Sequence, residues 1–247
     1  MRLLTWNLQG RRGVDVERVR SHIVGCGAEI VALQEVRRAQ ARQLAAALGW
    51  QHVWSFKHAP FGMRAEGAAL LAPTGLGPVT TIVLRPASRL SWRRRIALVA
   101  AVERDDEGAV ILADVHLSPH ALGAGRDEEV RRLVDVLRTD FGHPARPVIV
   151  AGDVNEEPPS AVSHRLEGAG WVDAWAATVP DRRAGDGATS WIDGPRTGLA
   201  PTRRLDVVFM PAGWTCRYAA VPSDEWSMFA ELSDHLPVLV DLEPLAR

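Results

Sequence analysis

The sequence predicts an α/β sandwich built from mixed sheets. Three observations carry that expectation. Short continuous apolar runs, such as Ile30-Val31-Ala32-Leu33 and Val148-Ile149-Val150-Ala151, read as strands buried on both faces. Stretches with helical spacing separate some of these runs but not others. Residues 96–102 and 109–115 flank Asp105-Asp106-Glu107-Gly108 and read as a hairpin. Mixing hairpins with crossovers argues against a doubly wound parallel sheet and against a (β/α)8 barrel.

Composition bounds the rest. The 247 residues suit one large domain or two small ones, and 47% hydrophobic with 24% charged is an ordinary globular mix. No linker or internal repeat stands out, so one domain over 1–247 is expected. A net charge of −1 is not the strongly basic balance of a committed nucleic-acid binder. No run reaches transmembrane length and no basic, apolar leader is seen, so a cytoplasmic monomer without membrane contact is expected. Cys26 and Cys216 sit in apolar surroundings and read as buried thiols. Basic residues are nearly all arginine, and Lys57 is the only lysine. This reflects genome composition, or it matters locally, because arginine grips phosphate bidentately and lysine does not.

Taken in order, residues 2–7 form a strand ending at Asn7. Asp15 caps a helix with Val16, Val19 and Ile23 at helical spacing, and Gly25 and Gly27 stop it. The strand from Ile30 ends at Gln34-Glu35, and a helix from Ala39 to Leu48 ends at Gly49. Strands follow at 51–56, from Glu66 to Leu71, and at 79–84. Residues 89–95 are a basic loop with one aromatic, Trp92: a solvated charge run, or a phosphate-contacting patch. The second strand of the hairpin ends at His116, and a helix with Val130, Leu133, Val134 and Leu137 follows. The apolar run 148–151 delivers Asp153 and Asn155 into a loop before a helix at 162–166. Residues 171–175 read as a short turn or helix, 180–201 as the least regular stretch. A strand at 205–209 contains Asp206, a buried acid that needs a partner. Ser233-Asp234-His235 and an apolar strand at 236–242 end the chain.

The polar strand-ends carry the chemistry. Asn7, Glu35, His116, Asp153, Asn155, Asp206, Asp234 and His235, with Glu66, are carboxylates, amides and histidines without a cysteine. Such oxygen donors suit Mg²⁺ or Mn²⁺, whereas zinc more often gathers histidine and cysteine. No Ser or Cys sits in a nucleophile elbow, and no P-loop is present. Water is therefore the simplest nucleophile, oriented by a carboxylate, with a metal and histidines stabilising charge on phosphorus. In isolation Gly152-Asp153-Val154-Asn155 is also an ordinary turn sequence.

From Thr5-Trp6-Asn7 to Ser233-Asp234-His235 the chain resembles the endonuclease/exonuclease/phosphatase superfamily, with the motifs in that family's order. The resemblance implies a DNase I-like, four-layered α/β sandwich of two mixed β-sheets flanked by helices. It implies a metal-dependent phosphoesterase with Mg²⁺ or Mn²⁺. Glu35 matches the main metal ligand, with Asn7 beside it and Asp234 near the metal. Asp153 resembles the residue that activates the attacking water, and Asn155 a phosphate or transition-state contact. Asp206 resembles the acid that orients His235, which would contact the scissile phosphate as a charge stabiliser or as a general base. His116 matches the second histidine, and Glu66 is placed to orient it. Arg126 stands where relatives carry an arginine: it contacts phosphate or pairs with a neighbour such as Glu129. Arg94, in the basic loop, and Trp191 are further substrate-contact candidates, though packing against the sheet is the more frequent fate of tryptophan. His52, His58, His120, His143 and His164 have no motif around them and read as surface or packing residues.

Departures sharpen the expectation. Gln9 stands where apurinic/apyrimidinic endonucleases commonly carry an aspartate, and His116 replaces their tyrosine; both argue against an abasic-site repair enzyme. Nucleic acid, DNA or RNA, is the leading substrate class. The alternative is a small phosphorylated metabolite or lipid headgroup. A non-catalytic binding module should have lost some of these residues, and none of the main positions is lost.

Overall fold

The structure is a computed structural model. It describes residues 1–10, 13–59, 65–87, 94–104, 108–119, 125–142, 146–178, 187–192, 194–195 and 198–245. The turn at 105–107, Trp92 with most of the basic loop, His120, His143 and residues 180–186, 193, 196 and 197 of the irregular stretch therefore lie outside the described residues.

Two six-stranded mixed sheets face each other. The first runs β11 (Trp214–Ala220), β12 (Val238–Pro244), β1 (Arg2–Asn7), β2 (Ile30–Val36), β4 (Glu66–Ala72), β3 (Gln51–His58). The second runs β5 (Leu76–Arg85), β6 (Arg95–Val102), β7 (Val110–His116), β8 (Val148–Asp153), β10 (Asp206–Pro211), β9 (Trp171–Asp173). Only β1–β2 and β7–β8 pair in parallel; the other pairs are antiparallel, including the expected β6–β7 hairpin.

Helices α1 (Val16–Gly25) and α2 (Arg38–Leu48) cover the first sheet, and α3 (Gly125–Asp140) and α4 (Ala161–Gly168) cover the second. Asp15 caps α1 by accepting from the Arg18 N–H at 3.1 Å, and Gly49 ends α2 at φ 71°. Two short helices, α5 (Ala174–Thr178) and α6 (Trp226–Ala230), complete the set among the described residues. The result is a four-layered α/β sandwich. None of the described helices is long and apolar enough to cross a membrane.

Strand periodicity sorts the apolar residues into layers. Leu3, Ala32, Leu70, Leu112, Ile149 and Val208 pack between the sheets. Their neighbours Leu4, Val31 and Leu33 face α1 and α2, while Ala113, Val150 and Val207 face the α3–α4 side.

Three details differ from the sequence reading. β8 runs on to Asp153, residues 171–178 split into β9 and α5, and Asp206 opens β10 instead of lying inside it. β11 and α6 were not anticipated. β11 is an edge strand whose register shifts between Cys216 and Tyr218, so its alternation is broken and its apolar signal is weak. Cys26 and Cys216 are free thiols, the first half-buried and the second buried.

Candidate active site

The site lies where the core between the sheets runs out. Following each inner face by steps of two, Leu3 leads to Thr5 and Asn7, Leu112 to Asp114 and His116, Ile149 to Ala151 and Asp153, and Ala68 to Glu66. The apolar layer gives way first to a buried polar layer. There Gln34 donates to Thr5 Oγ1 at 3.0 Å and, across the gap between sheets, to Asp114 Oδ1 at 2.7 Å. Burial pushes the Asp114 carboxyl well above its ordinary value. The next layer is the site itself.

Strand register lines up three of its residues. His116 and Asp206 are the direct cross-strand neighbours of Asp153, on β7 and β10 respectively. Gly152 allows the close pairing that this needs: its φ is +135°, and a Cβ there would sit 2.1 Å from the Val115 carbonyl oxygen. The non-glycine residues with positive φ among the described residues are Gln9, Glu35 and Asn155, all at this end of the sandwich. Glu35 lies in the register shift between Leu33 and Val36, where the bulge re-aims its side chain. Backbone strain is thus concentrated where polar groups must converge.

Asp153 is the centre. Its Oδ1 accepts from the Asn155 N–H at 2.9 Å and its Oδ2 accepts from Asn7 Nδ2 at 3.0 Å. His116 Nε2 and His235 Nε2 stand 3.7 and 3.8 Å from that same Oδ2. Burial, reinforced by the nearby Asp206 and opposed by His235, raises the Asp153 carboxyl to about 6. His235 Nδ1 meets Asp206 Oδ2 at 2.7 Å, and its carbonyl accepts from Trp6 Nε1 at 2.8 Å. Burial works against a charge on His235, but Asp206 and Asp153 overcome it and raise the imidazole to about 10. Asp234 accepts from the Gln9 side chain, whose backbone N–H donates to Asn7 Oδ1 at 3.1 Å.

One expectation is corrected, and three open alternatives are decided. Glu66 does not hold His116 directly. Lys57 stands between them, with Nζ 3.0 Å from His116 Nδ1, 3.3 Å from Glu66 Oε1 and 3.7 Å from Glu35 Oε1. Glu66 pairs with His58 Nε2 at 2.9 Å, so of the two readings of His58, surface or packing, the buried one holds, beside the site. Burial would raise Glu66, but the His58 hydrogen bond and the Lys57 charge lower it to about 2. Arg126 is buried and donates to the Ser118 and Asn155 carbonyls at 3.2 and 2.8 Å and to Glu156 Oε1 at 2.6 Å. Its partner is thus Glu156. Glu129 accepts from the Ser118 N–H and hydroxyl instead. Trp191 is buried: its indole N–H donates to the Leu199 carbonyl at 2.7 Å and its ring packs edge-on against Trp226. That leaves it in the packing, with no open face for a base. Arg94 donates to the Phe56 carbonyl and lies 5.3 Å over the Phe56 ring.

Lys57 is the residue that the sequence reading noticed without placing. Its signal was its singularity in a chain of arginines. Burial pulls its ammonium below the ordinary lysine value, while Glu35 and Glu66 hold it up. Burial and the charges of Lys57, Arg95 and His235 push His116 well below its ordinary value.

The donors fit a hard divalent cation. Asp206 Oδ1 and Gln9 Oε1 are buried without a hydrogen-bond partner among the described residues, and Glu35 keeps 20% of its side chain exposed. Asp153, Asp206 and His235 also bring ligand atoms within 4.8 Å of one another.

Comparison with known proteins agrees with this geometry. The Endonuclease/Exonuclease/phosphatase family model matches residues 4–235. A search of curated proteins found no match by sequence. Among solved structures, an endonuclease/exonuclease/phosphatase from Bacteroides vulgatus is 21% identical, covers 98% of each chain and superposes with a TM-score of 0.79. TDP2 from D. rerio, complexed with single strand DNA product, is 17% identical over 98% of each chain, with a TM-score of 0.75. A mannosyl-6-phosphatase from Bacteroides thetaiotaomicron is 16% identical over 98% of this chain and 99% of its own, with a TM-score of 0.76. With its family motifs running from Asn7 to His235 and converging at one end of a four-layered sandwich, the chain belongs to the endonuclease/exonuclease/phosphatase family, enzymes that hydrolyse phosphate esters.

Proposed function

We propose that residues 1–247 act as one catalytic domain, a metal-dependent phosphodiesterase that uses water activated by Asp153, with nucleic acid as the leading substrate class. The observation that carries this reading is the convergence of Asn7, His116 and His235 on one oxygen of Asp153. An ionised carboxylate has about four lone-pair sites, so after two hydrogen bonds Asp153 still has room to accept from water. A base that titrates at about 6 takes a proton readily near neutral pH. Charged His235, backed by Asp206, donates through Nε2 to a phosphoryl oxygen as negative charge builds. Asn155, whose Nδ2 is anchored on the Leu117 carbonyl at 3.0 Å, contributes a further polar contact at the phosphate. Glu35, Asn7 and Asp234 would hold the metal; Asp153, Asp206 and His235 also lie close together, but with His235 charged and paired to Asp206 they serve as base and phosphate donor. A bound Mg²⁺ or Mn²⁺ supplies Lewis acidity to the phosphoryl oxygens.

A second reading is favoured by two observations. The net charge is −1, and neither Arg126 nor Trp191 is available to contact substrate. A small phosphorylated metabolite or lipid headgroup needs fewer such contacts than a nucleic acid. The likeness to both a DNA-bound protein and a sugar phosphatase is compatible with either substrate class.

Hydrolysis of plasmid DNA, bis-p-nitrophenyl phosphate and p-nitrophenyl phosphate, side by side with Mg²⁺, Mn²⁺ or EDTA, separates these readings. Metal-dependent nicking that Asp153→Asn abolishes is the expected result. Activity confined to small esters would replace the nuclease reading with the second one. Full activity in Asp153→Asn would overturn the mechanism.

A further inference from the structure

Lys57 has no part in the reaction as described so far. It is the only lysine of the chain, its side chain is 1% exposed, and it lies at the site. A buried ammonium is costly unless every donor is matched. An ammonium has three donors and no acceptor. Three acceptors surround this one: His116 Nδ1 at 3.0 Å, Glu66 Oε1 at 3.3 Å and Glu35 Oε1 at 3.7 Å. Two carboxylates favour the charged form. His58 Nε2, 2.9 Å from Glu66 Oε1, steadies one of those carboxylates in turn.

The consequence falls on His116. An ammonium can only donate, so at 3.0 Å it requires a lone pair on Nδ1; Glu35 Oε1, 3.8 Å from the same nitrogen, lies beyond hydrogen-bond reach and claims no proton there. In a neutral imidazole the proton must then be on Nε2. That nitrogen is the one 3.7 Å from Asp153 Oδ2. His235 reaches the same oxygen with its Nδ1 held by a carboxylate instead, which requires Nδ1–H. We propose that Lys57 is a positioning residue that holds His116 in its Nε2–H tautomer, making the ring a neutral hydrogen-bond donor to the substrate phosphate. The proposal rests on the reading that the phosphate sits beside Asp153. No proton is transferred by Lys57 itself.

The test is the ¹⁵N spectrum of the full chain labelled at histidine, with Mg²⁺ added. His116 is assigned by loss of its signals in His116→Gln. In the unmodified protein His116 should show a protonated Nε2 and an unprotonated Nδ1. Lys57→Met keeps the length of the side chain and removes the donor. His116 should then move to a mixture of tautomers, while the His235 signals, held by Asp206, stay in place and report that the site is folded. Under the same conditions kcat on bis-p-nitrophenyl phosphate should fall by up to about tenfold, the most that one neutral hydrogen bond from His116 can supply, with KM changed little. A protonated Nδ1 on His116 in the unmodified protein overturns the proposal without any variant having to fold. So does a fall in kcat without a change of tautomer, which would assign Lys57 a purely electrostatic role. Asp153→Asn, assayed in parallel, tests the underlying reading separately. If it retains activity, the placement of the phosphate is wrong whatever tautomer His116 adopts.

Discussion

His116 and His235 reach one oxygen of Asp153 at almost the same distance, 3.7 and 3.8 Å, yet opposite charges grip them. His235 is held by the Asp206 carboxylate and raised to about 10. His116 is held by the Lys57 ammonium and pushed well below its ordinary value. Two buried imidazoles in one site therefore present different donors: one cationic, one neutral. What a histidine does is decided at the nitrogen that faces away from the substrate. The two halves also differ in how they are built. In the His235 half, Asp206 is the direct neighbour of Asp153 on β10, and His235 reaches it from the segment before β12 of the other sheet. The His116 half draws Lys57 from β3, Glu66 from β4 and Glu35 from β2, so it depends on both sheets keeping their spacing.

The comparison can be broken at its shared point first. Asp153→Asn removes the base that both rings face, and turnover should fall by about 10²–10⁴-fold; circular dichroism should show the fold retained. His235→Ala should then cost more than His116→Ala. Loss of a charged donor to developing negative charge costs about 10²–10³-fold, whereas one neutral hydrogen bond, at about 1 kcal/mol, is worth roughly fivefold to tenfold. Equal losses would erase the distinction between the two rings. Glu35→Gln should raise the Mg²⁺ concentration needed for half-maximal activity by about tenfold or more, read from metal titrations after EDTA treatment.

The pH dependence of stability sharpens the contrast further. In the unfolded chain His235 returns to about 6.5, and in the folded chain it holds its proton to about 10. The folded state therefore binds more protons between those values. Its contribution to stability is fully present below about 6.5 and is lost as pH rises through about 10. Asp153 adds little slope there, because with a value of about 6 it is ionised in both states above pH 7. Denaturant midpoints between about pH 7 and pH 10 should fall in the unmodified protein and stay nearly flat in Asp206→Asn. Trp191→Phe should have the smallest effect: KM unchanged, and stability lower by about 1 kcal/mol for the lost bond to the Leu199 carbonyl.

Much of this was legible in the chain itself. The apolar runs fixed which segments are strands, since a strand buried on both faces must be apolar along its length. The polar residues that end those runs had to lie at one end of the sandwich, and Asn7, His116, Asp153 and Asp206 do. Family motifs then named their expected roles. The irregular edge strand β11 left no such pattern, because one of its edges is unpaired and its register shifts.

Side-chain partners were a different matter. Glu66 was correctly placed at the site, but what it holds depends on which residue of a neighbouring strand points inward. Only the packing of β3 against β4 puts Lys57 and His58 there. For Arg126 the sequence leaves a phosphate contact and a structural ion pair open, and for Trp191 a substrate contact and packing. The tertiary structure buries both and gives each an internal acceptor. Sequence alone determined which segments are strands and which polar residues lie at their ends, because periodicity and apolar runs are local. Pairing across the gap between sheets is set by distance and desolvation, and only the assembled sandwich decides that Lys57 meets His116 while Asp206 meets His235.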